Sequence, residues 1–128
     1  IVRDVNCRNI AFDPAKAYHG TVQGLQKAGL NNLLDEFNQS IKNMSEPTRE
    51  LQRLVESAEV DLMDDPVLRW MFRNAVPVTD SNDNIKLHKS KPMNKIDGLT
   101  AIINAIGGYM SGAKPEPYKD SDLKILNF

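Results

Sequence analysis

The chain contains one cysteine, Cys7, so no internal disulfide can form, and a reducing, cytoplasmic setting is expected. No apolar run approaches the ~18–20 residues of a membrane span, so no membrane partner is expected, and no signal peptide is evident. Charge of either sign is not in surplus: 16 Lys and Arg stand against 17 Asp and Glu, for a net charge of −1. Global basicity, which by itself would announce a nucleic-acid partner, is thereby excluded, and only local patches can carry such a role. Phosphate-binding glycine motifs of the Walker or dinucleotide type are missing, which leaves ATP hydrolysis and dinucleotide binding without support. His19 and His88 have no His, Cys or Asp partner at ligand spacing, which argues against zinc. Aromatics are few, at 6%, and Trp70 and Phe72 are expected in the core rather than as base-stacking platforms.

What is present suits one α/β domain. A chain of 128 residues buries roughly 65–70% of its unfolded surface if it folds alone. It begins with Ile1 rather than Met, as a processed product or an excised piece of something longer would. A short buried strand is expected at Ile10 to Phe12, ending in Asp13-Pro14, with Pro14 opening a helix that runs from Ala15 to a stop at Gly29. Leu33 to Phe37 reads as a second strand. Ser45 and Pro47 read as the start of an amphipathic helix bearing Leu51, Leu54, Val55 and Ala58. A brief extended piece, Val60 to Met63, leads to a further helix, capped by Asp64 or Asp65, started by Pro66 and lined by Val67, Leu68, Met71 and Phe72. Apolar alternation on both sides of a Ser-Asn-Asp-Asn turn predicts a β-hairpin. The last helix follows Ile96-Asp97-Gly98 and should be the most buried. Residues 113–128 are polar and proline-broken, a tail with a docking end at Leu123 to Phe128.

Two acids stand at element junctions: Asp13 after Ile-Ala-Phe and before a helix, Asp97 before the Leu99-to-Met110 helix. The simplest reading is that each caps a helix, a contribution of about 1 kcal/mol. The competing reading is catalytic. A carboxylate at the carboxyl end of a strand in an α/β sheet faces the crevice where such folds bind ligands. Carboxylates suit Mg²⁺ or Mn²⁺, and two such ions ~3.5–4 Å apart can activate water and stabilise the leaving oxygen in phosphodiester cleavage. Charge segregation favours the second reading. Asn84 to Lys95 holds Lys86, Lys89, Lys91 and Lys95 with no acid, whereas nine acids against Lys42, Arg49 and Arg53 occupy the stretch from Asp35 to Asp65. A basic strip running into a candidate metal carboxylate is where a phosphate backbone would be gripped, without regard to base sequence.

The ordered set "IAFDPAKA", "DPVLRWMFRNAVPVTDSNDNIKLHKSK" and "NKIDGLTAIINAIG" resembles the carboxyl-terminal part of the nuclease domain of tailed-phage (HK97-like) terminase large subunits, the motor-nucleases that package DNA. The similarity spans roughly residues 8 to 110, and residues 1–112 are read as that portion. It implies a ribonuclease H-like α/β fold, incomplete here, with a β-hairpin inserted before the last helix. It also implies a Mg²⁺- or Mn²⁺-dependent endonuclease cutting concatemeric double-stranded DNA. Asp13 would match the second acidic ligand of that family and Asp97 the last, while Lys89 and Lys95 match basic positions near DNA. Family members also carry an acid on the first strand of the sheet and an amino-terminal ATPase domain with a Walker motif. Neither is present, and Asp4 does not replace the acid by position. The implied partners are that ATPase part, the small terminase subunit, the portal and double-stranded DNA, in the cytoplasm of a bacterial host. An exposed sheet edge would also favour self-association. Two alternatives stay open: a non-catalytic domain docking on the portal or small subunit through its acidic face and tail, and an unrelated α/β domain in which both acids only cap helices.

Overall fold

The structure is a computed structural model that describes residues 7–112. Asp4 and the expected tail, with its docking end at Leu123 to Phe128, lie outside the described residues. Two compact units are distinguished, Ile1–Asn38 with Gly108–Phe128, and Gln39–Gly107.

In the first unit, β1 (Ile10–Phe12) and β2 (Leu34–Glu36) pair in parallel, with Ile10 opposite Leu34 and Phe12 opposite Glu36. Parallel strands need a long crossover, supplied here by α1 (Pro14–Ala17) and α2 (Gln23–Lys27). Pro14 opens the first helix and Gly29, at φ +82°, follows the second, both as expected. The single helix expected from Ala15 onward is, however, broken. The chain leaves helical geometry at His19 and Gly20, and Gly20 takes φ +96°, a conformation that costs little only without a Cβ. Ala28, Leu30 and Leu33 form the core, with Cys7, Ile10 and Leu25 packed against them. Gly108 closes on β1, since a Cβ there would stand 3.0 Å from Asn9 Oδ1 and 3.1 Å from the Ala11 Cβ.

The second unit begins with α3 (Ile41–Glu56), which starts earlier than its sequence suggests. Ser40 is the cap, its Oγ accepting the Asn43 N–H at 3.2 Å, and Ser45 and Pro47 are interior and buried. The reason is tertiary. Ser45 Oγ accepts the Ile85 N–H at 3.0 Å, and Arg49 donates to the Asp83 carbonyl at 2.7 Å, so α3 braces the hairpin instead of being capped by Ser45. That hairpin pairs β3 (Ala75–Thr79) with β4 (Ile85–Lys89) in antiparallel register, Ala75 opposite Lys89. Between α3 and α4 (Pro66–Asn74) the expected extended piece forms no strand, and it ends at Met63, which takes φ +54° with its N–H donated to Asp61 Oδ1 at 2.8 Å. Asp65 caps α4, accepting the Leu68 N–H at 2.7 Å. Trp70 is 45% exposed and Val67 56%, so neither joins the core in which each was expected. Met44, Leu51, Ile96, Leu99 and Ile103 make that core, the last two on α5 (Asp97–Met110). Among the described residues no helix is long and apolar enough to cross a membrane.

The hairpin turn is tied by one acid. Asp80 accepts from the Asn84 side chain at 2.9 Å and from the Asn82 and Asn84 amides at 2.9 and 3.0 Å. The Asn84 carboxamide above all, with desolvation opposing it and the two amides adding to it, holds the Asp80 carboxyl below its ordinary value of 3.8. A carboxyl lowered on folding stabilises the fold above its unfolded pKa, and that contribution disappears as pH falls through the folded value. Acidification below pH ~4 should therefore loosen the turn. In Asp80→Asn, amide exchange at Asn82 to Ile85 should be faster at neutral pH and should lose this acid dependence.

Candidate functional site

Asp97 owes its position to α4. Asn74, the buried last residue of that helix, donates from Nδ2 to the Lys95 carbonyl at 3.2 Å. Its own carbonyl accepts the Ser90 N–H at 2.7 Å, so one residue clasps both ends of the loop between β4 and α5. The Gly98 N–H donates to Met71 Sδ at 3.2 Å, and a Cβ at position 98 would lie only 2.9 Å from that sulfur. Ile96 is buried, and its carbonyl accepts the Thr100 N–H at 2.9 Å. Ile96 thus takes the capping position, and Asp97 is the first helical residue. Its carboxylate is exposed and has no hydrogen-bond or ion-pair partner among the described residues. The capping bond expected of Asp97 is absent; the helix dipole still favours the charge.

Asp13 behaves differently. Half-buried at the carboxyl end of β1, it accepts the Ala15 N–H on Oδ1 at 3.1 Å, while its carbonyl accepts the Ala17 N–H at 3.0 Å. The capping role is present here, and it leaves Oδ2 without a partner among the described residues. Glu36 ends the neighbouring parallel strand opposite Phe12. Sequence reasoning did not single out that acid, and only the pairing of β1 with β2 brings it to the same strand end. Asp13 belongs to the first unit and Asp97 to the second. Among the described residues no group of three or more His, Cys, Asp or Glu is placed to hold a metal ion.

The lysines divide. Lys86 donates to the Gln39 carbonyl and is half-buried, so its ammonium serves the second unit's own packing. Lys89, Lys91 and Lys95 are exposed, without described partners, on the stretch that ends at Asp97. Asn74 and Met71, which hold that stretch, were missed as site residues; the only local hint was Asn74 at a helix end. Elsewhere on the second unit the charge is acidic. Arg53 joins Glu50 and Glu59, both at 2.8 Å, and those bonds raise the guanidinium pKa and lower both carboxyls. A nearby apolar pocket of about 300 Å³ is lined by Val55, Leu62, Met63, Leu68 and Phe72, with Asp64 paired to Arg69 at its edge.

Comparison with known proteins supplies the family. Residues 1–112 match the model of the terminase large subunit, endonuclease domain. The chain is 33% identical over 107 residues to the terminase large subunit of Enterobacteria phage HK97, covering 84% of this chain and 21% of that protein. It is 34% identical over 84 residues to Protein YmfN of Escherichia coli (strain K12), covering 64% of this chain and 18% of that one. The crystal structure of the HK97 bacteriophage large terminase superposes with a TM-score of 0.66 at 34% identity, over 76% of this chain and 20% of that one. The chain thus spans about a fifth of the length of the curated relatives it matches.

Proposed function

Since the chain belongs to the family of terminase large-subunit endonuclease domains, with their mixed α/β, ribonuclease H-like fold, we propose that it is the metal-dependent endonuclease module of a DNA-packaging terminase. Its substrate is concatemeric double-stranded DNA, and it works together with the ATPase part of the same protein, the small terminase subunit and the portal. The observation that carries this reading is Asp97: an exposed carboxylate without a described partner, directly behind a loop presenting Lys89, Lys91 and Lys95.

The donor chemistry fits a hard divalent ion. Carboxylate oxygens are the donors such an ion prefers, and each unit has one candidate: Asp97, with both oxygens, in the second, and Asp13, whose Oδ1 accepts from Ala15, in the first. Mg²⁺ or Mn²⁺ held by these carboxylates would supply a lowered water pKa and charge neutralisation at the scissile phosphate. The chain's own work is to place the carboxylates and grip the strand. Asn74 and Met71 fix the backbone around Asp97, and the three exposed ammonium groups hold phosphates. Two carboxylates are a thin ligand set, so the chain by itself is expected to cut weakly or not at all.

Retention of duplex DNA should fall steeply with salt, because phosphate contacts release counterions. Replacing Lys89, Lys91 and Lys95 together by alanine should lower the salt slope by about 2–3. Lys86→Ala should change it little, since that ammonium is engaged by Gln39. A slope that ignores the triple substitution would count against the DNA interface. It would favour instead a second reading, a non-catalytic domain that docks on portal or small subunit. The acidic surface around the Val55–Phe72 pocket is the observation behind that alternative.

A further inference from the structure

The lysine loop ends in an apolar point that phosphate binding leaves unused. Lys91 to Asn94 form a tight turn, the Asn94 N–H donating to the Lys91 carbonyl at 3.0 Å, with Pro92 and Met93 at its tip. Pro92 presets the first corner. Asn94 Nδ2 donates to Ser90 Oγ at 2.8 Å, and Asn74 clasps both ends of the loop, so the tip stands on a braced base. Met93 leaves 89% of its surface in water, more than any other exposed large apolar side chain among the described residues. It contributes nothing to the core. It also sits on the stretch where Lys89, Lys91 and Lys95 are exposed and no acid intervenes between Asn84 and Lys95.

Resting on the DNA reading above, we propose that Met93 is a wedge that enters the minor groove of the bound duplex and partly unstacks one base step, while the lysines hold the flanking phosphates. Methionine and proline are among the apolar side chains that kink duplexes this way, and an unbranched, polarisable side chain adapts to the irregular space between opened bases. The braced turn matters, because a floppy tip would lose ordering entropy on insertion that a preset one does not. The consequence is a substrate class. Duplexes whose stacking is already weakened, by a mismatch or at a flexible pyrimidine–purine step, should bind in preference to stiff, intact ones.

The test compares anisotropy titrations of a short intact duplex and the same duplex with a central mismatch, at one salt concentration, with 2-aminopurine beside the central step. The unaltered chain should bind the mismatched duplex on the order of tenfold more tightly and brighten the probe on binding. Met93→Ser should bring that preference to about one and abolish the brightening, leaving the salt slope intact because no lysine is touched; Met93→Leu should retain both signals. A preference missing from the unaltered chain, or surviving in Met93→Ser, overturns the wedge, while binding that still answers to the lysine substitutions leaves the DNA interface standing. Failure to bind either duplex removes the wedge together with the reading beneath it.

Discussion

Asp97→Ala is expected to abolish Mn²⁺ binding followed by calorimetry while the melting temperature stays nearly unchanged. The separation follows from the environment of the side chain. Asp97 is exposed at the first position of α5 and supports no hydrogen bond among the described residues, so its removal orphans no donor. The fold loses about 0.3–1 kcal/mol of charge–dipole attraction. It regains part of that because alanine is the better helix former. The metal loses a direct ligand, which should cost at least the ~10–100-fold in affinity that loss of an outer-shell partner costs. Asp13→Ala should weaken Mn²⁺ similarly but also destabilise the chain by about 1 kcal/mol, because Ala15 loses its carboxylate partner. Equal Mn²⁺ binding in the unaltered chain and both variants would refute the assignment and leave the acids as parts of helix starts.

Ile103→Ala should be the most damaging of these substitutions to stability. Ile103 is completely buried on α5, beside Leu99 at 1% exposure. Truncation removes buried methyl groups and leaves a cavity, at a cost of about 2–5 kcal/mol. A domain of this size holds only roughly 5–15 kcal/mol in all. The urea midpoint should drop by a large fraction with little change in slope, whereas Tyr109→Ala on the same helix, at 76% exposure, should move it little. Comparable shifts for both would mean that α5 is not held by the core described.

Family resemblance was legible because several local signals occur in a fixed order. Asp13-Pro14 at the end of an apolar triplet, the Asp65-Pro66 helix start and the Ile96-Asp97-Gly98 junction are each governed by neighbours a few residues away, and the structure has all three. The breaks in that legibility have long-range causes. Ser45 looked like a cap because a Ser before a Glu-Pro pair satisfies the local rule; its actual partner is Ile85, 40 residues on. Trp70 looked like core because large aromatics are more often packed than presented, yet the residue is 45% exposed. Lys86 looked equivalent to its neighbours in a basic run until the fold placed the Gln39 carbonyl against it.

By itself, the order of residues determined the alternation of strands and helices, the hairpin, the two junction acids and the basic run, since each depends on backbone geometry and contacts within a few positions. Tertiary structure decided what those residues are available to do. It committed one oxygen of Asp13 to Ala15, left Asp97 without a described partner, withdrew Lys86 from the surface strip and raised Met93 on a braced turn. The physical reason is that burial and hydrogen-bond partners come from segments distant in the chain, which no local pattern specifies.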